Sequence, residues 1–251
     1  MKHSLTKSLD SLFKFLEKNR EFNHTVQTKS YYRFLSPYSS TQEKVYSLLH
    51  HIVNTQSRPN INRLSDFFQK IYANQHLLTG FRNFVEFLTE KECEECNYEL
   101  LFNAMLKQDG WGKKTSALFT KTIHHVHSGS YDQSLRIWND APQQIDSSEK
   151  FFLPVDAVIE AIFYKLDSSE KWNFDNINSV LQQIYSSEQM EIWDDLWFWG
   201  FITQLGSGLQ REHIWNEQKY WALLETDKDK VVIEKIQSKS LEFLSILNFK
   251  Q

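Results

Sequence analysis

The sequence predicts an all-α protein. Apolar residues recur every three or four positions along much of the chain, which is the spacing of an amphipathic helix. Glycine and proline are scarce, at 7 and 4 of 251 residues, so long irregular loops should be few. No hairpin signal such as Asn-Gly appears, and Val232-Ile233 is too short to indicate a strand. A chain of this length can bury a large core, as one domain or as two tightly joined lobes.

The first part of the chain divides into helices with one apolar face. The pattern predicts helices over residues 5–20, from Thr41 onward, over 61–72 and over 77–88, the last broken at Gly80. The residues from Thr41 to Lys44 have the form of a capping box. Residues 28–40 mix aromatic and turn-forming residues and are predicted as a loop packed on the core. The predicted buried faces are Leu5, Leu9, Leu12, Phe13 and Leu16 in the first helix and Val45, Leu48, Leu49, Ile52 and Val53 in the second.

The second part continues the helical pattern with one break, at Gly206-Ser207-Gly208. The residues from 190 onward are unusually aromatic, which is more often a feature of a core than of a pocket. The helices predicted here run over 157–166, 177–185, 190–205, about 211–223 and 229–247.

Two of the seven glycines lie one residue apart, in Gly110-Trp111-Gly112. Residues 98–106 before them and 115–126 after them have helical spacing, so the pattern predicts a helix-hairpin-helix unit. Such a turn presents backbone N–H groups at a helix N-terminus, where they and the helix dipole suit a phosphate. An ordinary helix C-cap and connecting turn would use glycines in the same way, and the motif alone leaves both interpretations open.

A second motif, Pro154-Val155-Asp156, opens another apolar helix downstream. With the hairpin, it resembles the helix-hairpin-helix (HhH-GPD) DNA glycosylase superfamily, which is marked by Gly-x-Gly-x-Lys and a later Pro-Val-Asp. The 41 residues between Lys114 and Asp156 resemble the longer connection of the archaeal 8-oxoguanine DNA glycosylase branch. The chain departs from the family at Val158, where many members have histidine, and at the bulky Trp111.

The resemblance covers roughly residues 45–205, and with it one two-lobed helical domain is expected over residues 1–251, with the helix-hairpin-helix at about 97–127. It also implies that Lys114 attacks the sugar carbon C1′ and that Asp156 stabilises the positive charge developing on the sugar. Asp at a helix start is otherwise an N-cap, which is the alternative interpretation of Asp156.

The resemblance further assigns residues to DNA contact and to the pocket for an extruded base. Gln56, with Asn54 and Arg58 beside it, matches by position the family's segment that fills the gap left by an extruded base, although a polar helix end before Pro59 explains these residues equally well. Asp195 and Trp199 are four residues apart and therefore share a helix face. The implied DNA-binding residues are Gly110, Trp111, Gly112, Lys113, Gln56 and Arg58, and the implied base-pocket residues are Asp195, Trp199 and Leu118.

The net charge of −4 counts against DNA binding, because non-specific affinity comes largely from Lys and Arg on phosphates. Basic residues nevertheless gather around the hairpin, which makes a local basic face an alternative to an ordinary solvated helix face. They are Lys107, Lys113, Lys114, Lys121, His124, His125 and His127.

Cys93 and Cys96 are the only cysteines, and they are interpreted as solvent-exposed thiols. One pair cannot complete a tetrahedral zinc site. The four-cysteine iron–sulfur cluster of some related glycosylases is therefore not expected. No metal or cofactor is predicted, apart from a monovalent cation that the resemblance places at the hairpin.

The resulting expectation is a DNA glycosylase with AP lyase activity that removes an oxidised purine, 8-oxoguanine. Two alternatives remain: a glycosylase of the same fold for another base, and a non-catalytic hairpin protein that only holds DNA. The expected partner is double-stranded DNA with a damaged base, and the expected state is a monomer. No apolar run reaches the roughly 20 residues that span a bilayer, so no membrane partner and a cytoplasmic, nucleoid-associated location are expected.

Overall fold

The computed structural model describes residues 3–223 and 228–248. The all-α prediction is confirmed for this part of the chain, where the only strands are two of two residues each. These strands pair antiparallel, with Gln204 opposite His213 and Leu205 opposite Glu212. Over the same residues, no helix combines the length and apolarity that crossing a bilayer requires.

The elements follow one another with short connections. Two 3-10 helices, Gln75–Thr79 and Gln133–Leu135, lie between α-helices. The α-helices are α1 His3–Lys18, α2 Arg20–Leu35, α3 Thr41–Val53, α4 Ile61–Ala73, α5 Phe81–Thr89, α6 Tyr98–Leu106, α7 Lys113–His127, α8 Ala157–Leu166, α9 Phe174–Gln182, α10 Ser187–Ile192, α11 Asp195–Ile202, α12 Glu217–Ala222 and α13 Lys230–Leu247. The strands are β1 Gln204–Leu205 and β2 Glu212–His213.

The chain divides into two compact units. The central unit comprises Ser30–Pro154 and Tyr185–Glu191. The composite unit is assembled from three separate stretches, Met1–Lys29, Val155–Ile184 and Ile192–Gln251.

The core of the composite unit is built on the apolar stripe of α1. All five residues predicted for this stripe are buried. Phe15 extends it, with its ring centroid 5.0 Å from Trp199 on α11 and 5.6 Å from Phe243 on α13. Burial of these large rings contributes favourable free energy that holds the first and last of the three stretches together.

The core of the central unit lies between α3, α5, α6 and α7. The five inward residues predicted for α3 are all buried. Phe84 of α5 packs against Phe119 of α7 and against Trp138, with centroid distances of 6.0 and 5.2 Å. The indole N–H of Trp138 donates to the Leu78 carbonyl at 2.8 Å, so this buried polar group is satisfied.

The prediction of a loop over residues 28–40 is wrong, because α2 continues to Leu35. Tyr31 and Leu35 are four residues apart and both are buried, so they lie on one helix face. The next helix starts at Thr41 as predicted, but its cap lies one residue earlier than predicted. Ser40, rather than Thr41, forms the capping box with Glu43, whose N–H donates to the Ser40 hydroxyl at 3.2 Å.

The single helix predicted over 190–205 is also wrong, because α10 and α11 are separate. Trp193 and Asp194 interrupt the helix, and the chain enters β1 at Gln204. The carboxylate of Asp194 accepts a hydrogen bond from Gln27 Nε2 at 2.5 Å.

The prediction of solvent-exposed thiols is wrong as well, because Cys93 and Cys96 form a disulfide and are half-buried. Arg82 stabilises the conformation of the loop between α5 and α6 by donating hydrogen bonds to the carbonyls of Cys93 at 2.5 Å and Glu94 at 3.0 Å. The Cys93 N–H donates to Glu86 Oε1 at 3.1 Å. These contacts bring the two cysteine Cα atoms to 5.9 Å, within the range of a disulfide.

Candidate functional site

The two helices and the turn predicted for the helix-hairpin-helix unit are present, with α6 and α7 joined by residues 107–112. Gly110 has a φ of +80°, a conformation that side chains rarely adopt. A Cβ at this position would lie 2.7 Å from both Cγ and Cδ2 of Leu64. The fold therefore requires glycine at position 110 for two reasons, its backbone conformation and its close packing against Leu64.

Gly112 differs from Gly110 on both counts. Its φ of −118° is open to any residue, and a Cβ there would meet no atom within 4 Å. Its N–H donates to the hydroxyl of Thr115 at 3.0 Å, so Gly112 is the N-cap of α7. The Trp111 N–H is also used inside the turn, since it donates to the Gln108 carbonyl at 3.2 Å. An anion at this turn would therefore be bound by the first-turn amides of α7.

Trp111 faces inward. Its indole is buried, with ring centroids 5.4 Å from Phe67 and 5.8 Å from Phe119. Within the described part of the chain its Nε1 has no hydrogen-bond partner. The predicted DNA contact of Trp111 could therefore involve its backbone only, and its side chain anchors the turn in the core of the central unit.

Lys113 and Lys114 are the first two residues of α7. Lys113 is exposed and Lys114 is half-buried. Leu118 follows Lys114 by four residues and is also half-buried, so the two side chains lie on one helix face. This face presents an amine next to an apolar side chain at the start of α7.

The polar segment before Pro59 is tied to the hairpin. Gln56 Nε2 donates to the Gly110 carbonyl at 3.2 Å. Arg58 is exposed two residues later. The structure thus brings Gln56 to the turn that carries the predicted phosphate contact, while Arg58 projects from the same segment.

The basic face predicted around the hairpin is smaller than the sequence suggests. Lys121, His124, His125 and His127 are buried in the central unit. The exposed or half-exposed cations of that set are Lys107, Lys113 and Lys114.

His127 illustrates why burial removes charge from this set. Its Nδ1–H donates to the Ile123 carbonyl at 2.7 Å, and its Nε2 accepts from the Trp138 N–H at 3.0 Å. Burial lowers the pKa of His127 to about 4, so the ring is neutral at pH 7.

Asp156 lies in the composite unit, as the N-cap of α8. Its Oδ1 accepts from the N–H groups of Val158 at 2.8 Å and Ile159 at 3.2 Å. Its Oδ2 accepts from the indole N–H of Trp197 at 3.0 Å. The capping interpretation is therefore confirmed, and the second oxygen is oriented by an aromatic side chain.

Trp197 and Phe201 form an aromatic surface beside Asp156 that the sequence analysis missed. Their rings are stacked at 5.0 Å, with 14° between the planes, and both side chains are half-exposed. Lys219 Nζ lies 5.2 Å from the centroid of Phe201. Burial lowers the pKa of Lys219, with nearby Arg211 acting in the same direction and Asp156 opposing both.

The predicted base-pocket residues Asp195 and Trp199 face the core instead. Asp195 is buried and accepts from Asn23 Nδ2 at 2.6 Å and from Arg20 Nε at 3.3 Å. Trp199 is 0% exposed and packs edge-on against Phe15 and Phe22. The two residues do share a helix face, but that face contacts α1 and α2 and presents no surface to a ligand.

Trp197 could have been found from the sequence by one signal. Its spacing of four from Phe201 defines a second aromatic face, about 200° around α11 from Trp199.

No protein-family profile, curated protein or solved structure matches the chain.

Proposed function

We propose that the protein is a DNA glycosylase with AP lyase activity that acts in base-excision repair on an oxidised purine, 8-oxoguanine. The observation that carries the proposal is the contrast between the two hairpin glycines. Gly110 is required by the fold, whereas Gly112 faces open space in a conformation that any residue tolerates. A glycine that the fold does not require is explained by a partner that approaches the backbone closely, and a phosphate at the start of α7 is such a partner.

Lys114 supplies the nucleophile in this proposal. A glycosylase reaches C1′ only after the nucleotide has left the base stack, so the reaction takes place on an extruded nucleotide. The neutral amine of Lys114 forms a bond to C1′ while the bond to the damaged base breaks and the base leaves with a proton. The ring-opened sugar is then a Schiff base with Lys114, and loss of the C2′ proton expels the 3′ phosphate by β-elimination.

The negatively charged carboxylate of Asp156 stabilises the positive charge that develops on the sugar as the glycosidic bond breaks. Its carboxylate is fixed by the two amides at the start of α8 and by the indole of Trp197. A carboxylate has about four acceptor sites, so Oδ2 keeps capacity beyond its bond to Trp197. Because the carboxylate is already oriented, little reorganisation is needed when charge develops on the sugar.

The stacked pair Trp197 and Phe201 supports the same proposal. Half-exposed aromatic rings offer a flat face on which an unstacked base can lie, and such stacking is worth about 1–3 kcal/mol per base. The hydrogen bond between Trp197 and Asp156 joins this face to the proposed catalytic carboxylate within one unit.

Borohydride trapping on duplex DNA tests the proposal. The DNA carries 8-oxoguanine or an abasic site at one position, and borohydride reduces any Schiff base to a stable amine. The parent protein should form a covalent adduct and Lys114→Gln should not, while Lys113→Gln serves as the matched control and should retain it. Lys114→Arg keeps the charge but cannot form the Schiff base, so it should lose both excision and trapping.

A second candidate function is a hairpin that holds DNA without cutting it. The observation that favours it is that Asp156 caps α8 through Oδ1, which explains this residue without catalysis. If this candidate is correct, Lys114→Arg should bind DNA like the parent. Neither the parent nor any variant should form a trapped adduct with borohydride. A panel of duplexes with other damaged bases distinguishes a glycosylase of different specificity from both candidates.

A further inference from the structure

The loop between α5 and α6 brings together three groups that the proposed repair chemistry does not use. The carboxylate of Glu86 and the sulfurs of Cys93 and Cys96 all lie within 4.8 Å of one another. The three side chains are half-buried, and they are the one such group of potential metal ligands in residues 3–223 and 228–248. In the structure the two sulfurs are joined as a disulfide.

We propose that reduction of this disulfide creates a zinc site formed by Cys93, Cys96 and Glu86. This inference goes beyond the proposed glycosylase activity and does not depend on it. A dithiol reductant would supply two electrons and two protons, so that the S–S bond breaks, two thiols form and the reductant becomes a disulfide. Zinc then displaces the two thiol protons and binds two thiolates and one carboxylate oxygen.

The geometry of the loop suits both the disulfide and the proposed zinc-bound dithiolate. Two sulfurs bound to one zinc ion at about 2.3 Å each are roughly 3.8 Å apart in a tetrahedral site. That separation is reached by rotation of the cysteine side chains, because the Cα atoms are already 5.9 Å apart. The backbone of the loop is held independently by Arg82, which donates to two of its carbonyl groups.

Glu86 is already oriented toward the two cysteines. Its Oε1 accepts from the Cys93 N–H at 3.1 Å and lies 3.8 Å from Arg82 Nη1. A ligand oriented in this way loses less side-chain entropy when it binds a metal. Further exposed carboxylates in and beside the loop raise the local concentration of cations, and they are Glu90, Glu92, Glu94 and Glu95.

Three protein ligands leave a fourth zinc position for water, as in open zinc sites. The two states would close the same loop by different means, a covalent bond under oxidising conditions and a metal under reducing conditions. The connection into α6, the first helix of the hairpin, would therefore be held in either environment.

Cobalt(II), a coloured substitute for zinc, tests the site in the full-length protein. The reduced parent protein should bind one equivalent, with thiolate-to-cobalt charge-transfer absorption and the intense visible bands of a tetrahedral site, and zinc should displace the cobalt. The oxidised parent should show neither feature. Cys96→Ser should lose the charge-transfer intensity of one thiolate, and Glu86→Gln should weaken zinc binding by about tenfold.

Two results would overturn the proposal. One is a reduced parent protein that binds zinc no more tightly than the oxidised protein, since its nine histidines would then explain any binding. The other is a folded Glu86→Gln variant, checked by circular dichroism, with the zinc affinity and cobalt spectrum of the parent. Glu92→Gln is the matched control, because it removes the same charge from the loop without removing a proposed ligand, and it should bind zinc like the parent.

Discussion

Alanine at Gly110 and alanine at Gly112 should have opposite consequences, although the two residues are separated only by Trp111. At Gly110 the alanine must adopt a φ near +80°, which costs about 1–2 kcal/mol. Its Cβ would also lie 2.7 Å from the branch point of Leu64 and 3.0 Å from the Leu64 amide nitrogen. These atoms belong to the backbone and stem of α4, so the helix must move, at a further cost of about 1–3 kcal/mol. The Gly110→Ala variant should therefore lose about 2–5 kcal/mol of stability.

At Gly112 the alanine should leave stability within about 0.5 kcal/mol of the parent. Alanine is a poorer N-cap than glycine, but it also restricts the unfolded chain, and these two effects have similar size and opposite sign. The effect should be seen in DNA binding instead. Gly112→Asn and Gly112→Asp have the same shape and both cap helices well, and only the aspartate places a negative charge where the phosphate would lie.

Equilibrium unfolding in urea measures the first contrast, with the slope m checked for constancy. Fluorescence anisotropy of a labelled duplex at one fixed salt concentration measures the second, because DNA affinity depends steeply on salt. Gly112→Asp should bind DNA at least tenfold more weakly than Gly112→Asn. Equal DNA affinity for these two variants would refute the role of the hairpin as a phosphate anchor, and equal stability of Gly110→Ala and Gly112→Ala would refute the packing argument.

Three further predictions concern stability. Trp199→Ala should lose about 3–5 kcal/mol because the side chain is fully buried, whereas Trp197→Ala should lose distinctly less in the same urea titration because its ring is half-exposed. The pKa of His127 is lowered by burial to about 4, so stability is greatest above pH 6.5 and is lost as the pH falls toward 4. This loss is about 2 kcal/mol between pH 7 and pH 5, and the non-titrating His127→Gln should lack it in a pH series of unfolding curves. Cys93→Ser should lose at most about 2 kcal/mol relative to the oxidised parent, since the disulfide closes a short loop, and calorimetry should show no difference once both proteins are reduced without zinc.

Helical periodicity predicted the positions of most helices because a buried stripe leaves a clear pattern in sequence. The stripe on α1 and the inward face of α3 are examples in which every predicted residue is buried. The hairpin could also be predicted, since Gly110 is needed by a local backbone conformation. Such features depend on interactions within a few residues, which a sequence displays directly.

The errors arose where long-range packing decides the outcome. Trp197 and Trp199 belong to one aromatic run, and Trp199 is the buried member because it packs against rings of other elements, among them Phe15 and Phe22. His127 looked like part of a basic surface, yet burial lowers its pKa and makes it a neutral core residue, with its Nε2 bonded to the N–H of Trp138, eleven residues away. No local pattern distinguishes these cases, because the deciding partners lie on other elements.

The assembly of the composite unit from three stretches has a consequence for how the chain is made. Phe15 of α1 is translated early, whereas its partner Phe243 on α13 follows 228 residues later. At about 5–20 residues per second, ribosomes need on the order of ten to fifty seconds to cover that interval. The central unit is meanwhile almost complete once Pro154 has emerged, and it lacks only Tyr185–Glu191. During that interval the apolar stripe of α1 lacks the partner that buries it from α13, so this stripe stays exposed to solvent or to other chains for longer than the core of the central unit.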